Sequence, residues 1–342
     1  TCTHANASSS LQFGRMLTLL GLLAALACAF ADDGAVDPLS IRDSHGLEIG
    51  HRNYMKMMTA RRVRNEQRVA TRGAKPVGPN RTAFVRETRS VYHAGVPSYD
   101  TIDQLARLLS GAVADLGLKS WYGEHGQWGI FHDGYRQSKA RFIYEEIQRA
   151  KADGRLPATT VQACEVGFLA GHTSLLFLLS LGPSAKMVSF DLGDTEWAID
   201  QGELLTEAFG ERHFKLTLGG SNSTVPQFHQ EHPRLQCDVV FVDGDKYPKP
   251  RLADIINLRA MSRAGALVFF DEATTFECVS GAVPESACGN AWDGAPRAFN
   301  RASRAKILTV TNCSSNPKPM RGRFNDWAGR RDNVCAAKYL AP

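Results

Sequence analysis

Between Val161 and Thr274 five short, largely apolar runs alternate with longer connecting segments. The runs are VQACEVGF, AKMVSFDL, FKLTLGG, CDVVFVDGD and ALVFFDEAT. Three of the segments between them, HTSLLFLLSLG, EWAIDQGELLTEAFG and KPRLADIINLRAMSRAG, have helical length and spacing. A two-residue turn cannot join neighbouring parallel strands, but a helical crossover can. The alternation therefore implies an α/β fold, a Rossmann-like doubly wound and mostly parallel sheet. Strands without polar alternation imply helices on both faces. Upstream, SYDTIDQLARLLSGAVADLGL and SKARFIYEEIQRAKADG read as two further helices. Downstream, KILTV and NVCAAKYLAP fit antiparallel strands added at one edge. No internal repeat is present.

The chain has 342 residues, 43% of them hydrophobic, enough for one large core or two modest ones. Its net charge of +5 is uneven, with eleven Lys and Arg against two Glu between His51 and Ser90. Residues 32–96 read as a basic, partly disordered extension, and the globular domain as 97–342 with a Cys-rich part over 276–342. The arginine-rich run has no interleaved aromatics, so no specific nucleic-acid partner is expected.

Ahead of it, MLTLLGLLAALACAFADDG resembles a signal-peptide apolar region closed by Ala29-Phe30-Ala31. This makes Met16 the expected start, 1–31 upstream residues and signal peptide, and the secretory pathway the expected location. If the segment is uncleaved, residues 16–31 form a membrane anchor; if it is not part of the natural chain, the protein is cytoplasmic. Of the six later cysteines, Cys278, Cys288, Cys313 and Cys335 are expected to form disulfides there. Cys164 and Cys237, on strands, are expected to be buried thiols. Asn80, Asn222 and Asn312 are N-glycosylation sequons.

Four of the five strand ends carry an acid: Glu165, Asp191, Asp243 and Asp271. Ligands of open α/β sheets bind where strand order reverses, beyond the carboxyl ends of the strands. Buried strand ends are costly places for unpartnered carboxylates, and four at equivalent positions mark a site. In CEVGFLAGHTS the glycines allow a tight turn and close backbone approach. A phosphate cradle would need GxGxxG, whereas here Gly167 and Gly171 are four apart and Glu165 would repel a pyrophosphate. The arrangement suits a ligand with an ammonium group and, through Asp191, a ribose. S-adenosylmethionine (SAM) has both and no phosphate.

At these residues the chain resembles class I SAM-dependent methyltransferases, in the methyltransferase domain 24-like subgroup that reads E-[IV]-G-F-N-A-G-H-S. The likeness continues through VSFDLGD, LTLGGSNSTVPQF, CDVVFVDGDKY and ALVFFDEAT, covering roughly residues 130–275. It implies that Glu165, Gly167 and Gly171 lie at the methionine end of SAM, with His172 of the same loop among the cofactor-binding residues, placed at the helix N-terminus behind them rather than as a base. It places Asp191 at the ribose, Ser221 near the adenine and Asp243 beside the sulfonium. Leu169 replaces the subgroup's Asn, and Gly220 an Asp near the adenine.

The D-x-x-K spacing of Asp243 and Lys246, followed by Asp271-Glu272, also resembles cation-dependent O-methyltransferases. That likeness implies Mg²⁺ held by Asp243, Asp271 and Glu272, with Lys246 as the base. Glu272 departs from the Asn of that family. His132 and Tyr135 are further candidates from the preceding segment. The expected activity is methyl transfer to a small-molecule or glycan acceptor, on oxygen. The alternatives are a lumenal binding protein or lapsed methyltransferase that keeps the fold, and a nicotinamide-dependent oxidoreductase.

Overall fold

The computed structural model describes residues 40–42, 48–71, 78–115, 131, 137–288, 294–314 and 333–341. His132, Tyr135 and the proposed signal peptide lie outside them. Residues up to Met55 and those from Lys56 onward form two compact units. In the first, β1 (Ser40–Arg42) pairs antiparallel with β2 (Glu48–Gly50).

The second unit is built on a seven-stranded sheet. In chain order its strands are β3 (Gln162–Val166), β4 (Lys186–Asp191), β5 (Phe214–Leu218), β6 (Cys237–Val242), β7 (Ser262–Ala273), β8 (Leu308–Cys313) and β9 (Asn333–Tyr339). Their spatial order is β5-β4-β3-β6-β7-β9-β8. The first five are parallel, and β9 runs antiparallel between β7 and β8, so the two tail strands extend one edge as expected. Strand order reverses at β3, whose neighbours are β4 and β6.

Helices cover both faces. One face carries α2 (Pro79–Ala94), α3 (Tyr99–Asp115), α4 (Gln137–Ala152), α5 (His172–Leu181) and α6 (Glu196–Phe209). The other carries α7 (Ser221–Glu231), α8 (Pro248–Ala260), the short α9 (Phe276–Val279) and α10 (Gly294–Arg304). Helix α5 is buried all round because α3 and α4 cover its outer side. This explains its uniform HTSLLFLLSL; each Leu or Phe so buried contributes about 1.5–3 kcal/mol.

The compact unit begins earlier than the expected 97. Helix α2 puts Phe84, Thr88 and Tyr92 on one stripe at i, i+4, i+8, all buried. Tyr92 donates its hydroxyl hydrogen towards the Pro183 carbonyl at 3.1 Å and lies 2.9 Å from His213 Nδ1. The stripe is only a few residues wide and set among arginines, so the basic character hides it. Helix α1 (His51–Thr71) is ordered too, and from Lys56 it belongs to the same unit. Among the described residues no helix is long and apolar enough to cross a membrane.

Three disulfides staple the fold: Cys164–Cys237, Cys278–Cys288 and Cys313–Cys335. The four tail cysteines were expected to be bridged, with the pairing left open, and they pair as Cys278–Cys288 and Cys313–Cys335. The Cys164–Cys237 bridge corrects the reading of two buried thiols. Both residues are buried, but β3 and β6 are neighbours in the sheet, which brings their sulfurs into bonding distance.

Candidate functional site

The strand ends beside the reversal converge as the sequence implies. Gly167 N–H donates to the Phe190 carbonyl at 2.8 Å and Asp243 N–H to the Val166 carbonyl at 2.9 Å. The turn after β3 therefore lies directly against the turn after β6. Gly167 has φ +98°, and a Cβ there would sit 2.2 Å from the Asp243 carbonyl oxygen. Only glycine fits. Gly171, at φ +80°, precedes α5, and a Cβ would meet the Phe168 ring at 2.8 Å. Between them Leu169 adopts φ 51° without being glycine, a conformation that costs roughly 1–2 kcal/mol. Its side chain packs with Trp197 against Val113 and Ala170, which gives the strained residue an apolar anchor.

Glu165 is fully buried beneath this turn. Ser189 Oγ donates to its Oε1 at 2.7 Å, and Ser174 Oγ donates to the same oxygen. Oε2 is buried with no partner among the described residues. Burial drives the carboxyl up to about 8, against the two serine hydrogen bonds. An unpaired buried oxygen next to a turn that only glycine can make fits the cationic end of the expected ligand.

Asp191 ties two loops together. Its Oδ2 accepts from Leu169 N–H at 2.9 Å and its Oδ1 from Gly193 N–H at 2.8 Å. Each oxygen keeps a lone pair for a diol. The Gly193–Asp194 loop is held from outside by α1, where the buried Asn65 donates Nδ2–H to the Asp194 carbonyl at 2.7 Å. Nothing in the basic run pointed to Asn65.

Asp243, Asp271 and Glu272 are neighbours at the ends of β6 and β7, but they do not form the expected metal cage. Lys139, at the start of α4 and buried, sits 2.6 Å from Asp271 Oδ1. Lys246 bridges Asp243 at 2.7 Å and Glu272 at 3.0 Å. The buried Arg251 bridges the same two acids at 3.6 and 3.3 Å. Among the described residues no group of three or more His, Cys, Asp or Glu is arranged to hold a metal ion. The donor set does not fit Mg²⁺, because its oxygens already face three cations.

The role expected for Lys246 changes as well. About half of its side chain is exposed (49%). Partial desolvation would lower its ammonium, but Asp243 and Glu272 more than reverse this and hold it protonated. Asp243 moves the other way. Burial, helped by Asp271 and Glu272, raises it to about 6 in spite of Lys246 and Arg251. Burial would raise Asp271, but Lys139, together with Lys246 and the Glu272 N–H, more than reverses this and holds it below its ordinary value. Of the two residues expected to carry the chemistry, Asp243 is therefore the one that can accept a proton near neutral pH.

His172 is buried and turned to a neighbouring helix. Its Nε2 is 2.9 Å from Ser110 Oγ on α3, and burial pushes the imidazole down to about 4, so it is neutral and holds α3 to α5. Ser221, first in α7, donates to Asp254 Oδ1 at 2.6 Å. Asp254 is buried, and burial pushes it up to about 7. Lys139, Arg251 and Asp254 escaped the sequence reading because each lies on a helix, away from the strand-end motifs that drew attention.

Residues 164–273 match a protein-family model described as a methyltransferase domain. No curated protein matches the chain. Among solved structures, an O-methyltransferase from Bacillus cereus in complex with SAH is 14% identical over 69% of this chain and 99% of its own, with a TM-score of 0.37. The N-methyltransferase NodS from Bradyrhizobium japonicum WM9 is 13% identical over 59% of this chain and 96% of its own, TM-score 0.36. An rRNA methylase from Streptococcus thermophilus is 10% identical over 59% of this chain and 98% of its own, TM-score 0.38. At these TM-scores the likenesses carry no argument about substrate.

Proposed function

We propose that this chain, whose residues 164–273 match a methyltransferase-domain family model, is a class I SAM-dependent methyltransferase that methylates a hydroxyl oxygen of a small-molecule or glycan acceptor held over the ends of β3, β6 and β7. The supporting observation is Asp243, which pairs with the protonated Lys246 yet has a carboxyl raised to about 6. When bound, SAM supplies an electrophilic methyl group that the acceptor oxygen displaces from sulfur in line.

The chain's own residues divide the remaining work. Glu165 Oε2 takes the ligand's ammonium, and Asp191 takes its ribose hydroxyls. The 167–171 turn lets the ligand approach the main chain. Asp243 accepts the acceptor's proton, and Lys246 holds Asp243 in place. Ser221, with Asp254 behind it, lines the adenine side.

The test is transfer of labelled methyl from SAM to a panel of hydroxylated acceptors. Asp243→Asn keeps the shape and removes the base, so kcat falls by about 10²–10⁴-fold with SAM affinity retained. Unchanged kcat in that variant would exclude Asp243 as the base, and transfer to nitrogen alone would exclude the oxygen acceptor.

We further propose that the protein works in the secretory pathway. The support is that six cysteines form three disulfides, an arrangement that persists in oxidising compartments.

A further inference from the structure

Arg251 has no exposed surface although it carries a permanent charge. A buried guanidinium persists only where its donors are met. Here they are met by an oxygen cage. Nε donates to the Asp245 carbonyl at 2.6 Å, and one terminal nitrogen to the Val242 carbonyl at 2.7 Å. The other terminal nitrogen reaches the Gly244 carbonyl at 3.3 Å, Glu272 Oε2 at 3.3 Å and Asp243 Oδ1 at 3.6 Å.

Three main-chain carbonyls and two carboxylates are the ligand types that a hard divalent cation takes. They surround a side chain instead. Glu272 adopts φ 62° at this point, an uncommon conformation for a residue with a side chain. An outlier of this kind persists where its surroundings fix it, and Arg251 and Lys246 both hold its carboxylate.

We propose that the Arg251 guanidinium is the built-in cation of this site. It fills the cage that a divalent ion would otherwise claim, fixes the 242–245 loop that presents Asp243, and makes the site independent of metal. Arg251 is a positioning residue, since it acts through Asp243 and the loop. The metal-binding part of this inference stands apart from the methyltransferase reading; only the turnover part rests on it.

The test is Mn²⁺ titration followed by electron paramagnetic resonance on the full-length protein, its Lys246→Ala and Arg251→Ala variants, and Asp243→Asn as control. Wild type should show no site tighter than millimolar. Lys246→Ala should show none either, because the guanidinium still fills the cage. Arg251→Ala should gain Mn²⁺ affinity by at least about tenfold. Its kcat should fall with little change in KM for SAM, and added guanidinium should restore turnover.

A stoichiometric submillimolar Mn²⁺ site in wild type, lost in Asp243→Asn, would overturn the proposal. So would an Mn²⁺ site in Lys246→Ala, or no gain in a folded Arg251→Ala. If Arg251→Ala does not fold, the wild-type and Lys246→Ala titrations still decide. Failure of methyl transfer in wild type would count against the methyltransferase reading and leave the Mn²⁺ result standing.

Discussion

Gly167 and Glu165 set the terms of binding at the level of single residues. A methyl group at 167 would meet the Asp243 carbonyl at 2.2 Å in a backbone conformation, φ +98°, that side chains avoid. Gly167→Ala is expected to abolish cofactor binding and to cost at least about 1–2 kcal/mol of stability, read by calorimetry and denaturant unfolding. Glu165 carries a pH signature. In the free protein its carboxyl is raised to about 8, so it is mostly neutral at pH 7. A ligand ammonium favours the carboxylate, so binding expels a proton. Affinity for SAM should therefore rise with pH, by up to about tenfold per unit, and flatten above the raised value. Proton release measured in buffers of different ionisation enthalpy checks this, and Glu165→Gln should remove it. For folding the same shift has the opposite sense, costing stability as pH climbs from the ordinary value of 4.5 towards about 8. Glu165, Gly167 and Asp191 were legible because their spacing is dictated by the turn. Arg251 was not, because nothing local in KPRLADII distinguishes a buried cation from a solvated one.

Helices and strands differed in how plainly the sequence announced them. The five parallel strands could be read from apolar runs that no other element of that length explains. Helix α8 was read too long, to Gly265; it ends at Ala260, and β7 begins at Ser262. The apolar residues there are shared between a helix end and a strand start, which periodicity alone does not separate. Helices α1 and α2 were hidden by charge. Their contribution to the site is indirect but testable, since Asn65 holds the Asp194 carbonyl at 2.7 Å and Asp191 holds Gly193 N–H in the same loop. Asn65→Ala removes one hydrogen bond of about 1 kcal/mol. SAM affinity should fall severalfold while kcat at saturation is unchanged. An unaltered affinity would mean that the loop keeps its shape without α1.

Across the whole molecule, the strand-end site and the Cys164–Cys237 disulfide follow from one topology. Reversal of strand order at β3 brings the turns after β3 and β6 together, and it also places Cys164 and Cys237 on neighbouring strands. Closing a loop of 73 residues in the unfolded chain stabilises by about 4 kcal/mol in the chain-entropy account. Unreduced protein should therefore take up no alkylating reagent at the six cysteines, and reduction should lower the midpoint of thermal unfolding. Uptake at Cys164 and Cys237 by the native protein would contradict the bridge between β3 and β6. The central claim, that the strand ends bind an ammonium-and-ribose ligand, is tested most directly by calorimetric titration of the full chain with SAM and S-adenosylhomocysteine, with NAD as control. The prediction is saturable one-to-one binding of the first two, weakened at least about tenfold by Asp191→Ala, and none of NAD. A folded chain that binds neither, or that binds NAD instead, would contradict it.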